Sequence, residues 1–196
     1  GASPENHAPT PRQLESLERA RLFVLVGHPD FVFEQSYVRP RLADRPDALV
    51  VEMAGGPQRA GEEADGDPHI WESPRVMQKT ARDIADALCR LDPVREADYR
   101  AGLADFLTDL AALDGEIRAR LAPHAGGRFL VFHPAWAGFA REYGLVQVAI
   151  ERDGKEPGPR QLIPLIEEAR RQRVRTVFVQ PGFTHKSAEI IAREIG

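Results

Sequence analysis

The chain has 196 residues, 42% of them hydrophobic, enough to bury a core, and no run approaches the roughly 20 consecutive apolar residues that a membrane-spanning helix needs. Its 26 basic and 30 acidic residues mix along the sequence to a net charge of -4, which leaves no basic footprint for nucleic acid. Cys89 is the only cysteine, which excludes an intramolecular disulfide and a thiolate cluster. A bound metal would therefore take nitrogen and oxygen donors, and the six histidines are His7, His28, His69, His124, His133 and His185.

The first element is a helix opened by Thr10 as cap and Pro11 at the first helical position, with Leu14, Leu17 and Ala20 at helical spacing. Apolar runs at Leu22 to Val26 and Ala48 to Met53 read as strands of a parallel sheet covered on both faces. Gly55 to Asp67 is a glycine- and acid-rich loop, after which Ser73 and Pro74 repeat the cap-plus-proline start of a helix reaching about Leu91. Nothing breaks a helical pattern from Pro93 to Leu121, and Tyr99, Leu103, Phe106, Leu110, Leu113, Ile117 and Leu121 are expected on one side. A helix of that length, about 40 Å, is longer than a small domain needs and suits a link between two lobes.

Strands at Phe129 to Phe132, Gln147 to Ile150 and Thr176 to Val179 then alternate with helices to about Tyr143, from Pro159 to Gln172 and from Ser187. The predicted fold class is α/β: two parallel-sheet lobes joined by one long rigid helix, with residues 1–92 as the first lobe, 93–122 as the link and 123–196 as the second lobe. The chain begins inside a loop with no strand before it and stops at Gly196 where another strand is expected, so both lobes read as incomplete.

Two strand ends echo each other. Leu25-Val26-Gly27-His28-Pro29 closes the first strand, and Val131-Phe132-His133-Pro134 closes the strand at 129–132. Ligands of open α/β sheets bind at the carboxyl edge of the strands, so either histidine is placed to meet one, and position alone does not choose between them. His69 follows a turn made by Asp67 and Pro68, and His69 and Trp71 share a side if the segment is extended. His7, with Glu5 nearby, precedes the first helix. Read blandly, His69 and His7 are exposed loop histidines and His133 caps a helix. The intervals between His7, His69 and His133 match neither a zinc finger nor a His-Glu-x-x-His helix, so spacing decides nothing. No phosphate loop, dinucleotide-binding turn or nucleophile elbow is present.

Taken in order, the segments Gly1-Ala2-Ser3-Pro4, Pro9-Thr10-Pro11-Arg12-Gln13, Asp67-Pro68-His69-Ile70-Trp71, Phe132-His133-Pro134-Ala135-Trp136 and Tyr143-Gly144-Leu145 resemble the zinc- and manganese-binding solute receptors of ABC importers. The likeness continues through Glu156-Pro157, Val177 to Pro181 and Lys186-Ser187-Ala188. It implies two α/β lobes on a rigid helix, with a metal ion in the cleft bound by a histidine from each of three segments and an acidic residue near the C-terminus. His69 and His133 match their motifs. Histidine at the third place resembles the zinc-preferring members, so Zn2+ is expected ahead of Mn2+. Where the family has its first histidine this chain has Glu5, with His7 two residues on, so either supplies that donor; the acidic ligand is expected beyond Gly196. The resemblance further implies a monomeric, non-enzymatic receptor in the periplasm or another extracytoplasmic location, lipid-anchored in some members, with an importer permease as partner. The sequence itself carries no export signal.

Two other readings compete. A zinc-dependent hydrolase would use the same ligands with Glu5 or Glu34 as base. A metal-free adhesion or interaction module would keep the fold and lose the site.

Overall fold

A computed structural model describes residues 7–53, 67–150, 157–179 and 186–196. These form two compact units, Ala2–Glu116 and Ile117–Gly196, and the boundary falls inside one long helix.

In the first unit, α1 (Pro11–Arg19) starts at a capping box. Gln13 N–H donates to Thr10 Oγ1 at 3.4 Å and Thr10 N–H donates to Gln13 Oε1 at 2.8 Å. Its far end would leave carbonyls unpaired, and the Arg45 guanidinium takes them: Leu17 O at 3.3 Å, Glu18 O at 2.6 Å and Ala20 O at 2.8 Å. Strand β1 (Leu22–Leu25) pairs in parallel with β2 (Leu49–Glu52), Leu22 opposite Leu49. Burial along β1 alternates, with Phe23 and Leu25 inside and Val24 39% exposed, so the expectation of two covered faces fails for this sheet: only one face carries the core. Phe23, Leu25 and Val38 centre that core, packed by Leu17, Ala20, Phe33, Leu42 and Ala48.

Between β1 and β2 the chain forms a π-helical turn, Glu34–Val38, running into the short helix α2 (Arg39–Ala43). Sequence periodicity did not reveal this segment, because Pro40 and the five charged or polar residues Glu34, Gln35, Ser36, Arg39 and Arg41 dilute the apolar pattern. A single turn, Ile70–Glu72, leads to α3 (Pro74–Leu91), where Ser73 Oγ accepts from Val76 N–H at 3.2 Å and Pro74 stands at the first position, as its sequence predicts.

Helix α4 (Glu96–Leu121) has 26 residues and is preceded by a 3-10 turn at Pro93–Arg95. Its sheltered stripe runs through Tyr99, Leu103, Leu107, Leu110, Asp114, Ile117 and Leu121, at intervals of three and four. Phe106 and Leu113, expected on that stripe, are 44% and 46% exposed, and Leu107 takes the place between Leu103 and Leu110. At about 100° per residue, Phe106 and Leu113 fall roughly 20° and 40° beyond one edge of that stripe.

The second unit contains a three-stranded parallel sheet in the order β4-β3-β5, from β3 (Arg128–Val131), β4 (Val146–Ala149) and β5 (Val177–Phe178). Helix α5 (Ala137–Glu142) connects β3 to β4, while α6 (Pro159–Arg171) and α7 (Lys186–Ile195) flank β5 in sequence. Leu130, Ile150 and Ile191 are fully buried and join Phe132, Leu162, Ala169, Val174 and Ala188 in one cluster. Each of the three contributes about 2 kcal/mol by burial, an upper estimate for an extended unfolded chain. The strand alternation sends Phe129 and Val131 the other way, toward a cavity of about 640 Å³. The architecture is thus α/β with parallel sheets in both units.

Candidate metal centre

Three sheet-edge and turn segments present the histidines, and each ring is held differently. His69 stands at the entry of the Ile70–Glu72 turn and is only 7% exposed, so the bland picture of a loop histidine in solvent does not hold. The turn is made by Asp67, whose Oδ1 accepts the His69 backbone N–H at 3.0 Å and also lies 2.7 Å from His69 Nδ1. A carboxylate only accepts, so this contact assigns the proton to Nδ1 and the lone pair to Nε2, the arrangement by which a carboxylate orients a metal-binding imidazole. Trp71 meets the His69 ring edge to face at 5.1 Å and Phe31 at 5.8 Å. The two rings are neighbours as expected, although the segment is a helical turn and not extended.

Glu72 lies half-buried on the same turn. Burial pushes its carboxyl above the usual range, His69 and a hydrogen bond with Trp71 pull it partly back, and the charge of Asp67 pushes it further up. Neither the Asp67 contact with the ring nor Glu72 stood out in the sequence. The first had a signal: an aspartate two residues before a histidine closes a turn on that residue's backbone and brings its oxygen toward the ring.

His7 precedes α1. Its Nε2 lies 3.3 Å from Gln13 Oε1, an oxygen that also accepts from the Thr10 backbone and hydroxyl, and its ring faces Phe33 at 5.7 Å. Because Gln13 Oε1 accepts, Nδ1 is the nitrogen of this ring that carries the lone pair. Glu5, the other reading of the first donor, lies outside the described residues.

His28 and His133 part company. At the end of β1, Gly27 turns the chain at φ 79°, and the Glu34 carboxylate accepts from Val26 N–H at 2.7 Å and Gly27 N–H at 3.0 Å. Glu34 is 5% exposed and committed to those two donors, which corrects its assignment as a hydrolytic base. His28 is 9% exposed, and its Nδ1 accepts from Asp30 N–H at 3.2 Å, so the proton sits on Nε2 and this ring has its acceptor nitrogen in use. His133 lies two residues past β3 at the carboxyl edge of the sheet, half-buried on the wall of the cavity beside Trp136 and Phe139. The cap residue of α5 is Trp136; the His133 carbonyl accepts from Ala135 N–H at 2.9 Å, and Gln147 Oε1 steadies the loop by accepting from Trp136 N–H at 2.6 Å.

Among the described residues no three His, Cys, Asp or Glu side chains form a group able to hold a metal ion. Among these residues the structure joins His69 to Asp67 and His7 to Gln13. Residues 151–156, His185 and most of the acidic stretch from Gly55 lie outside the described residues.

The pattern of the family described as "Zinc-uptake complex component A periplasmic" (ZnuA) matches residues 1–196. Among curated relatives, a "Putative metal-binding protein" of Treponema pallidum is 33% identical over 132 residues, 66% of this chain and 42% of its own length. The "High-affinity zinc uptake system protein ZnuA" of Paracoccus denitrificans is 42% identical over 79 residues, 40% of this chain and 24% of its own length. The chain thus spans less than half the length of these relatives. Two solved structures, "Crystal structure of ZnuA" and "Crystal structure of 138-173 ZnuA deletion mutant plus zinc bound", are each 38% identical and superpose with TM-scores of 0.83 and 0.81, covering 99% of this chain and 75% of theirs.

Proposed function

The chain belongs to the ZnuA family of periplasmic zinc-uptake components, and on that premise we propose that it binds Zn2+ as cargo and delivers it to the permease of an ABC importer outside the cytoplasm. His69 and His133 supply two donors and His7 or Glu5 a third. The observation that carries this reading is the Asp67–His69 pair, 2.7 Å apart, which orients one imidazole as a ligand before any ion arrives. Neutral imidazoles suit Zn2+ better than Mn2+, which favours oxygen donors; Glu5 in the third place would move the balance toward manganese. The protein acts as a receptor and not as a catalyst, since Glu34, one of the two bases a hydrolase reading would use, is spent on Val26 and Gly27.

Calorimetric titration of Zn2+ and Mn2+ into the parent chain and into His69→Ala, His133→Ala, His7→Ala and Glu5→Ala tests this. Zn2+ affinity falls at least about 100-fold in His69→Ala and in His133→Ala, and the larger loss between His7→Ala and Glu5→Ala identifies the third donor. Zn2+ binding indifferent to both His69 and His133 overturns the reading.

A further inference from the structure

The sign of charge divides between the two units although the sequence mixes it locally. From Ile117 to Gly196 there are 13 Lys and Arg against 8 Asp and Glu, net +5, whereas Ala2–Glu116 has 13 against 22, net -9. Within the second unit, Arg128 opens β3 and Arg175 immediately precedes β5. The register Leu130 opposite Val177, with Leu130 N–H donating to Thr176 O at 3.1 Å, sets both arginines at the amino-terminal edge of the sheet. The end of α6 turns into β5 there through Arg173, which takes a left-handed φ of 55°. That conformation suits glycine and strains a residue with a Cβ, so a long cation is kept where glycine would fit the backbone better.

Arg128, Arg173 and Arg175 are exposed, and among the described residues none of them pairs with a carboxylate, whereas Arg170 and Arg171 pair with Glu194 and Glu168. Attraction to the carboxyl end of the α6 dipole accounts for Arg173 at most; it does not account for Arg128 or Arg175, which lie on strand ends.

We propose that this arginine edge docks on an anionic phospholipid surface. Guanidinium groups donate paired hydrogen bonds to phosphate oxygens, and a row of exposed cations at one edge fits a plane of phosphates. Arg128 also borders the apolar cavity beside Phe129 and Phe178; a protein surface would have to fill that cavity with an apolar or aromatic anchor, whereas a plane of phosphates needs the three guanidinium groups alone. The inference stands apart from zinc binding and is tested without metal.

The test is sedimentation of the full chain with vesicles of phosphatidylcholine alone and of phosphatidylcholine with phosphatidylglycerol at 7:3, each in low and high salt. Binding is expected only to the anionic vesicles, weakening as salt rises, and about 100-fold weaker in the triple variant Arg128→Glu, Arg173→Glu, Arg175→Glu. The control triple Arg12→Glu, Arg75→Glu, Arg160→Glu changes net charge equally at other exposed sites and binds as the parent does. Circular dichroism melts verify that both triples fold. No binding to anionic vesicles, or equal loss in the two triples, overturns the proposal, the first outcome leaving an acidic protein as the surface the arginines would meet.

Discussion

The two strand-to-histidine turns look alike in sequence and behave differently. After β1, Gly27 bends back, Glu34 closes the strand end by accepting two backbone N–H groups, and His28 is buried with its Nδ1 in use by Asp30. After β3, Gln147 braces the loop at Trp136 and His133 lies on a cavity wall. One histidine is held in the fold through its acceptor nitrogen, and the other borders a cavity. A strand followed by His-Pro is thus a backbone motif, and the partners of the ring decide whether it can bind anything.

The sharpest way to break the contrast is at Glu34. Glu34→Ala strands the Val26 and Gly27 N–H groups and should cost about 3 kcal/mol, a fall in melting temperature of roughly 6–12 °C. Gln147→Ala, which removes a single bond at the matching loop, should cost about 1 kcal/mol. Equal losses would mean that Glu34 is no more structural than its counterpart.

Next comes the shell of His69. Asp67→Ala leaves the ring in place but releases its orientation, and Zn2+ affinity should fall about 10–100-fold by calorimetry. Unchanged affinity would mean that the Asp67 contact serves the turn alone.

His28→Gln should leave Zn2+ affinity within about threefold while lowering stability by about 1–2 kcal/mol, since a buried acceptor is replaced imperfectly. A loss of Zn2+ binding comparable to that of His133→Ala would erase the distinction between the turns.

The smallest effect is expected at Glu72. Its folded pKa is raised, chiefly by burial, so the folded state binds the proton more tightly than the unfolded one. That contribution is fully present below the unfolded pKa and is lost as pH rises through the folded value. Glu72→Gln should therefore raise the melting temperature at pH 7 relative to the parent, and this gain should shrink at pH 4. A gain that is the same at both pH values would count against burial as the cause.

Much of the fold was legible locally. Thr10-Pro11 and Ser73-Pro74 marked helix starts because a hydroxyl cap and a proline at the first position act within one turn. The β-strands were found to within about a residue or two, since their apolar runs are bounded by turn residues. The turn at 34–43 was missed because a π-helical turn leading into a five-residue helix has no period long enough to read. Of the candidate site, the residues His7, His69 and His133 could be named from segments, but their roles could not be ranked.

What the sequence by itself determined is what depends on neighbours along the chain: helix caps, strand positions, the parallel α/β class and the ordered segments that resemble a receptor family. What only the tertiary structure decided is which partner each side chain meets. Asp67 on the ring of His69, Glu34 on Val26 and Gly27, Arg45 on the end of α1 and Asp30 on His28 are contacts of a folded chain. A histidine's binding nitrogen is set by the hydrogen bond its other nitrogen makes, and that bond exists only once the chain has folded.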